Sequence, residues 1–231
     1  EDLSAIELYH QRWLDFFGSE SLRGLNLGVY QHSTVGRDSI VTILESLGAY
    51  VTSLARSEKF IPVDTEAIRP EDVTLAYDWC QSGEYDAIIS ADGDCDRPLL
   101  SNEKGEWIRG DVLGVLTSKF LNADAVATPV SCNTAVEESR LFQSILRTKI
   151  GSPFVIQGMM SLSNQGNLRV VGYEANGGFL QWSRLYRNGI PLESLPTRDP
   201  MIAVISCLVL AHGQGRTLSS LVGDLPHRFT A

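Results

Sequence analysis

The chain has 231 residues, enough for one large domain or two ordinary ones, and at 43% hydrophobic and 20% charged it has an ordinary globular composition. A net charge of -9 argues against non-specific nucleic-acid binding, and no apolar run is long enough to span a bilayer, so neither nucleic acid nor membrane is expected as a partner. Cys80, Cys95, Cys132 and Cys207 show no C-x-x-C spacing and no nearby histidine pair, which weighs against zinc and redox motifs and suits a reducing, cytoplasmic setting.

Taken in order, Glu1-Asp2-Leu3 runs into a capping-box pattern, Ser4-Ala5-Ile6-Glu7. Ile6, Tyr9, Trp13 and Phe16 then share one helical face, and Gly18 stops the helix. Leu25 to Tyr30 reads as a strand, followed by a polar loop from Gln31 to Gly36. Asp38 is expected to cap a helix with Val41, Leu44 and Leu47 inward, and Ala49 to Leu54 is a second strand. Pro70 opens a third helix with Glu71 and Asp72 in its first turn, ended by Gly83. This β-α-β-α-β rhythm predicts a parallel sheet covered by helices, with ligands beyond the carboxyl ends of its strands.

The third strand leads into Ala91-Asp92-Gly93-Asp94-Cys95-Asp96-Arg97. Carboxylates at every second position repel one another and raise one another's pKa, so a cation is expected among them. Mg²⁺ suits hard oxygen ligands at about 2.0–2.1 Å. The competing reading is a solvated Asp/Gly turn between two strands.

A hairpin is expected over Leu99 to Ile108, turning near Asn102 to Gly105, and a helix from Asp111 to about Leu121. A second unit follows, with a strand at Ala125 to Val130, a helix from Asn133 to Phe142, apolar Pro153 to Met160 and a strand at Leu168 to Gly172. The boundary falls near Ile108, which divides the chain into 1–107 and 108–231. The fold class expected is α/β: two packed three-layer α/β domains with mixed, mainly parallel sheets. The halves share a rhythm but no convincing sequence repeat. Past Val171, Gly172-Tyr173-Glu174-Ala175-Asn176-Gly177-Gly178 sets an acid and an amide among glycines, a pattern that either grips hydroxyls or makes a tight turn. Arg198-Asp199-Pro200 starts a helix, Met201 to His212, apolar nearly all round and so buried, with a last short helix around Leu218 to Val222.

Arg147-Thr148-Lys149-Ile150-Gly151-Ser152 offers two cations and two hydroxyls at a strand end, for a phosphate or a sugar, although Lys149 alone reads as a surface lysine. Ser131 to Thr134 reads as a helix cap, with Cys132 lacking a basic partner in sequence. His10, His32, His212 and His227 form no motif and read as surface or capping groups; Trp13, Trp79, Trp107 and Trp182 read as core.

Asp92-Gly93-Asp94-Cys95-Asp96-Arg97 resembles the D-G-D-x-D-R metal loop of the α-D-phosphohexomutases, the phosphomannomutases and phosphoglucomutases. Tyr173 to Gly178 is similar to that family's sugar loop, usually G-E-x-S-G-H, and Arg147 to Ser152 sits where the family has a loop that orients sugar and phosphate. The order and separation of these loops fit over nearly the whole chain. The resemblance implies an Mg²⁺-dependent isomerase that moves a phosphoryl group between the 1 and 6 positions of a hexose phosphate through a bisphosphorylated sugar. It implies Asp92, Asp94 and Asp96 as metal ligands, Glu174, Asn176 and Ser152 as substrate-binding residues, and Arg97 and Lys149 as catalytic ones.

The family has four domains, and this chain resembles the second and third. The phosphoserine loop of the first and the phosphate-binding loop of the fourth are not found here. The chain opens on Glu1, not Met, which leaves open that it is a piece of a longer one, inactive alone but with an active parent whose other domains are its partners. Four residues depart from the pattern. Cys95 replaces a Gly, tolerable if that position avoids positive φ; Asn176 stands for Ser, Gly178 for His and Tyr173 for Gly. Mannose and glucose are not separated. Two other readings stand beside this one: a non-catalytic module that binds sugar phosphate and Mg²⁺, and a metal-dependent phosphatase with Asp92 as nucleophile.

Overall fold

The computed structural model describes residues 4–81 and 83–226; the pattern read into Glu1, Asp2 and Leu3 and the role read for His227 lie outside them. The first half runs α1 (Ser4–Phe17), β1 (Asn26–His32), α2 (Arg37–Ser46), β2 (Tyr50–Arg56), α3 (Pro70–Gln81), β3 (Ala87–Ala91) and β4 (Pro98–Leu100). β2 and β3 lie parallel on either side of β1, and β4 returns antiparallel to β3. Strand alternation divides the side chains between two helix layers. Leu27 and Val29 of β1, with Ala87, Ile89 and Ala91 of β3, join the cluster that holds Ile40, Ile43 and Leu44 of α2. Tyr30 and Ile88 point the other way, to Cys80 of α3.

α4 (Gly110–Phe120) leads into β5 (Ala125–Pro129), a single turn α5 (Ala135–Glu138), β6 (Ser144–Thr148), α6 (Ser152–Asn164), β7 (Val170–Tyr173) and β8 (Phe179–Gln181). The second sheet, β6-β5-β7-β8, repeats the order of the first: two strands parallel to a central one, and a last strand antiparallel to the third. Ala125, Ala127 and Val170 pack under α6, while Val126, Val171 and Tyr173 face the other way. A small hairpin, β9 (Leu185–Arg187) and β10 (Ile190–Leu192), precedes α7 (Pro200–Gly213) and α8 (Leu218–Gly223). The expected fold class holds: two α/β/α domains with mixed, mainly parallel sheets.

α7 unites them. Its residues from Pro200 to Val209 are all buried, as an all-apolar helix requires, and it packs on α4 as well as on β4 of one sheet and β8 of the other. One apolar cluster therefore runs from Trp13 in α1 through both halves to Leu225. Asp199 caps α7, accepting from the amides of Met201 at 2.8 Å and Ile202 at 3.3 Å. Trp13 is fully buried, and Trp79, Trp107 and Trp182 pack against apolar clusters, the core role read for them.

Several local expectations change. β1 continues through Gln31 and His32, both buried, because His32 still pairs with Arg56 of β2. Asp38 caps nothing; α2 begins a residue earlier, and Asp38 binds Arg56. The helix expected from Asn133 to Phe142 is the one turn of α5, beyond which Arg140 takes a φ of +53°. The expected turn at Asn102–Gly105 exists, closed by a bridge between Ser101 and Trp107, but the longer hairpin is β3–β4, around the acidic loop. Among the described residues, no helix is long and apolar enough to cross a membrane.

Candidate active site

The acidic loop joins β3 to β4, and the acid–amide loop joins β7 to β8, so each occupies the same place in its own sheet. Asp92, the first residue past β3, is buried. Its Oδ1 accepts from the amides of Asp96 at 3.0 Å and Arg97 at 3.1 Å, and its carbonyl accepts from Cys95 at 3.1 Å. The loop is thus wound around the Asp92 carboxylate. Asp94 is exposed and Asp96 half-buried, and ligand oxygens of all three acids lie within 4.8 Å of one another. Burial pushes the Asp92 carboxyl up to about 6, against the pull of the two amides and with the push of Asp94 and Asp96. Burial also raises Asp96, against the field of Arg198.

The donor set suits a hard divalent cation. Asp96 Oδ1 is buried without a hydrogen-bond donor, and Arg97 Nε lies 3.5 Å from it and 3.6 Å from Asp92 Oδ2. Arg97 therefore sits as a brace within the loop.

The acid–amide loop is turned toward this cluster. Glu174 is buried and its carboxyl is raised, first by burial and in opposition to Arg198. Asn176 Oδ1 accepts from the Gly178 amide at 3.0 Å, which leaves the side-chain amide donors for a ligand. Its carbonyl accepts from Thr65 Oγ1 of the first half at 2.7 Å. Gly110, at the start of α4, lets the helix meet this loop: a Cβ there would lie 2.2 Å from the Gly177 nitrogen and 2.4 Å from the Ala175 oxygen. Arg198 joins the loops, with Nη2 2.7 Å from Asp96 Oδ2 and Nη1 3.9 Å from Glu174 Oε2.

Lys149 and Ser152 stand elsewhere. They follow β6, at the same carboxyl edge as Glu174 but with β5 between β6 and β7. Lys149 is exposed, has no carboxylate partner among the described residues, and lies 5.6 Å from the ring of Phe154. Arg147, part of the segment read as able to hold a phosphate or a sugar, is committed to structure: it pairs with Glu137 and donates to the carbonyls of Pro129, Cys132 and Asn133. Asn133 Oδ1 accepts from Ala135, the capping role expected of that segment. Cys132 is buried with its thiol pushed up to about 12 by desolvation, a protonated core group.

Two site residues had no signal of their own in the sequence. Arg198 read only as a helix start. His32 read as a surface or capping group, yet it is fully buried with Nε2 2.8 Å from the carbonyl of Ala91, at the root of the acidic loop. Cys95 has a φ of +62°, so the condition under which it could replace glycine cheaply is not met.

Two α/β/α domains that bring an acidic loop and an acid–amide loop together at Arg198 define the class of fold and site, and comparison with known families says which family it is. Residues 8–105 match the model of phosphoglucomutase/phosphomannomutase alpha/beta/alpha domain II, and residues 109–229 match domain III. The chain belongs to the phosphoglucomutase/phosphomannomutase family. It is 46% identical to a phosphomannomutase of Salmonella muenchen over 98% of its own length and 47% of that protein's. A phosphomannomutase of Sinorhizobium fredii is 42% identical over 94% of the chain and 46% of that protein. The chain thus spans about half the length of these relatives. Its fold matches a phosphoglucomutase/phosphomannomutase family protein of Burkholderia thailandensis with a TM-score of 0.77 at 17% identity, covering 97% of this chain and 47% of that one.

Proposed function

We propose that the chain is the central part of a phosphomannomutase-type phosphohexomutase, an isomerase that interconverts hexose 1-phosphate and 6-phosphate through a bisphosphorylated sugar. The observation that supports this reading is the run Asp96–Arg198–Glu174, which joins the acidic loop to the acid–amide loop through one guanidinium. Identity of 46% and 42% to phosphomannomutases favours mannose among the hexoses.

Asp92, Asp94 and Asp96 would hold Mg²⁺, which when bound offsets negative charge on the transferring phosphoryl group. Glu174 accepts from sugar hydroxyls, and Asn176 donates to one. Arg97 keeps the loop wound around Asp92, and Arg198 adds positive charge between the two loops. Lys149 and Ser152, at the far side of the same edge, receive the phosphate distant from the metal. The phosphoserine and the C-terminal phosphate-binding loop belong to the partner domains of the longer parent, so the isolated chain binds ligand without turnover. The division of the chain at 107/108 and a cytoplasmic setting complete the proposal; all four cysteines are free thiols.

The alternative with Asp92 as a phosphatase nucleophile fits less well, because Asp92 is buried and one of its oxygens is held by two amides. The test is Asp94→Asn in the full-length parent, with Mg²⁺-dependent conversion of mannose 1-phosphate to the 6-phosphate as the readout. Loss of turnover by more than about a hundredfold is expected. Native turnover in the variant would overturn the assignment of the metal site.

A further inference from the structure

We propose that Gly36 and Cys95 are a matched positioning pair: the missing side chain of Gly36 is a socket for the Cys95 thiol, and the seated thiol sets the geometry of the carboxylate loop. This rests on the metal-binding role proposed above for that loop. Cys95 is held at a φ of +62°, a left-handed conformation that is unfavourable for a residue with a side chain. Something must hold it there. A Cβ at position 36 would lie 2.2 Å from Cys95 Sγ and 3.0 Å from its Cβ. Gly36 itself has a φ of -88° and a ψ of 3°, which any residue adopts, so its own backbone does not call for glycine. The close approach of Cys95 does.

The contact belongs to a wider brace. The end of β1 meets the end of β3 through His32 Nε2, 2.8 Å from the Ala91 carbonyl, and the connection from β1 to α2 meets the loop through the Val35 amide, which donates to the Gly93 carbonyl at 3.1 Å. Gly36 and Cys95 both line a cavity of about 320 Å³ shared with Tyr9, Ile40, Arg198 and Asp199. Without the thiol, the loop has open space into which to relax, away from the point where Asp92, Asp94 and Asp96 converge.

The amides of Cys95, Asp96 and Arg97, all bonded to Asp92, report the loop's order, and their hydrogen exchange can be followed in the metal-free full-length protein. In Cys95→Gly they should exchange about tenfold faster while amides of β1 and β3 keep their protection. Cys95→Ser, which fills the same socket, should keep native rates. Gly36→Ala expels the thiol and should also speed exchange, and the double variant Gly36→Ala/Cys95→Gly should exchange more slowly than Gly36→Ala, because the alanine methyl then occupies the vacated space. A Mn²⁺ titration should show at least about threefold weaker binding in Cys95→Gly than in Cys95→Ser. Native exchange rates in both Cys95→Gly and Gly36→Ala would overturn the pairing, as would a double variant that exchanges as fast as Gly36→Ala. If Gly36→Ala does not fold, the contrast of Cys95→Gly with Cys95→Ser decides. Failure of the native protein to bind Mn²⁺ would instead remove the metal role, while the exchange rates still judge the pairing.

Discussion

Arg198 Nη2 lies 2.7 Å from Asp96 Oδ2, and the same guanidinium reaches within 3.9 Å of Glu174 Oε2. One cation therefore neutralises a proposed metal ligand and a proposed sugar ligand that come from different sheets. A guanidinium so close to Asp96 also competes with a divalent cation for that carboxylate. Its two effects on the reaction should be opposed.

Replacing Arg198 with Gln in the full-length protein should strengthen Mg²⁺ binding by about twofold to fivefold, as calorimetry would show, because a competing positive charge is gone. Turnover should nevertheless fall by about a hundredfold, because the two loops lose their link and the substrate its positioning. Weaker Mg²⁺ binding in the variant would mean that Arg198 supports the metal site and does not compete with it.

Asp92 links the metal-free protein's stability to pH. Its folded carboxyl is raised to about 6, from 3.8 when unperturbed. Between these values the native state holds a proton that the unfolded chain releases, so this group's contribution to stability falls as pH rises through that window and stays lowered above it. Asp92→Asn keeps an acceptor for the two amides and removes the charge. In EDTA it should be more stable than the native protein by about 2 kcal/mol at pH 7.5, and by little at pH 4. Mg²⁺ at a hundred times its Kd should reverse the order at pH 7.5, adding about 2.7 kcal/mol to the native protein alone. Urea unfolding at the two pH values, with and without the metal, checks both statements.

Gly110 carries the approach of α4 to the acid–amide loop. An alanine methyl there meets backbone atoms of Ala175 and Gly177, which cannot rotate away. Gly110→Ala should cost about 1–3 kcal/mol and raise the KM for hexose phosphate. Mg²⁺ affinity should stay native, since the acidic loop is held separately by the β1–α2 connection. Equal losses of both affinities would show that the two loops move as one body.

Asn176 presents amide donors once its oxygen is engaged by Gly178. Asn176→Ser exchanges those donors for one hydroxyl that can also accept. The ratio of kcat/KM for mannose and glucose 1-phosphates should shift by about tenfold, with Mg²⁺ affinity unchanged. An unaltered ratio would take Asn176 out of sugar discrimination.

Much of this was legible in the residues. The apolar run into Asp92 marked a strand that ends in acids, and the all-apolar helix after Arg198 marked a buried element. Both signals are local, carried by side-chain period and charge spacing. Arg198 was legible only as the start of that helix, because its partners Asp96 and Glu174 lie far from it along the chain. The φ of Cys95 was equally hidden, since the residue that accommodates it is Gly36, in another connection. The repeat of strand order in the two sheets showed in sequence only as a shared α/β rhythm, because topology constrains burial pattern and not residue identity.

By itself, then, the sequence determined two α/β units and an acidic loop at which a cation is expected, because alternation and like-charge repulsion act over a few residues. Only the tertiary structure decided that this loop and the Glu174 loop face each other. The physical reason lies in α7: a helix apolar on every side must be covered on every side, and covering it brings β4 and β8 together across one core, with the two loops at a common edge.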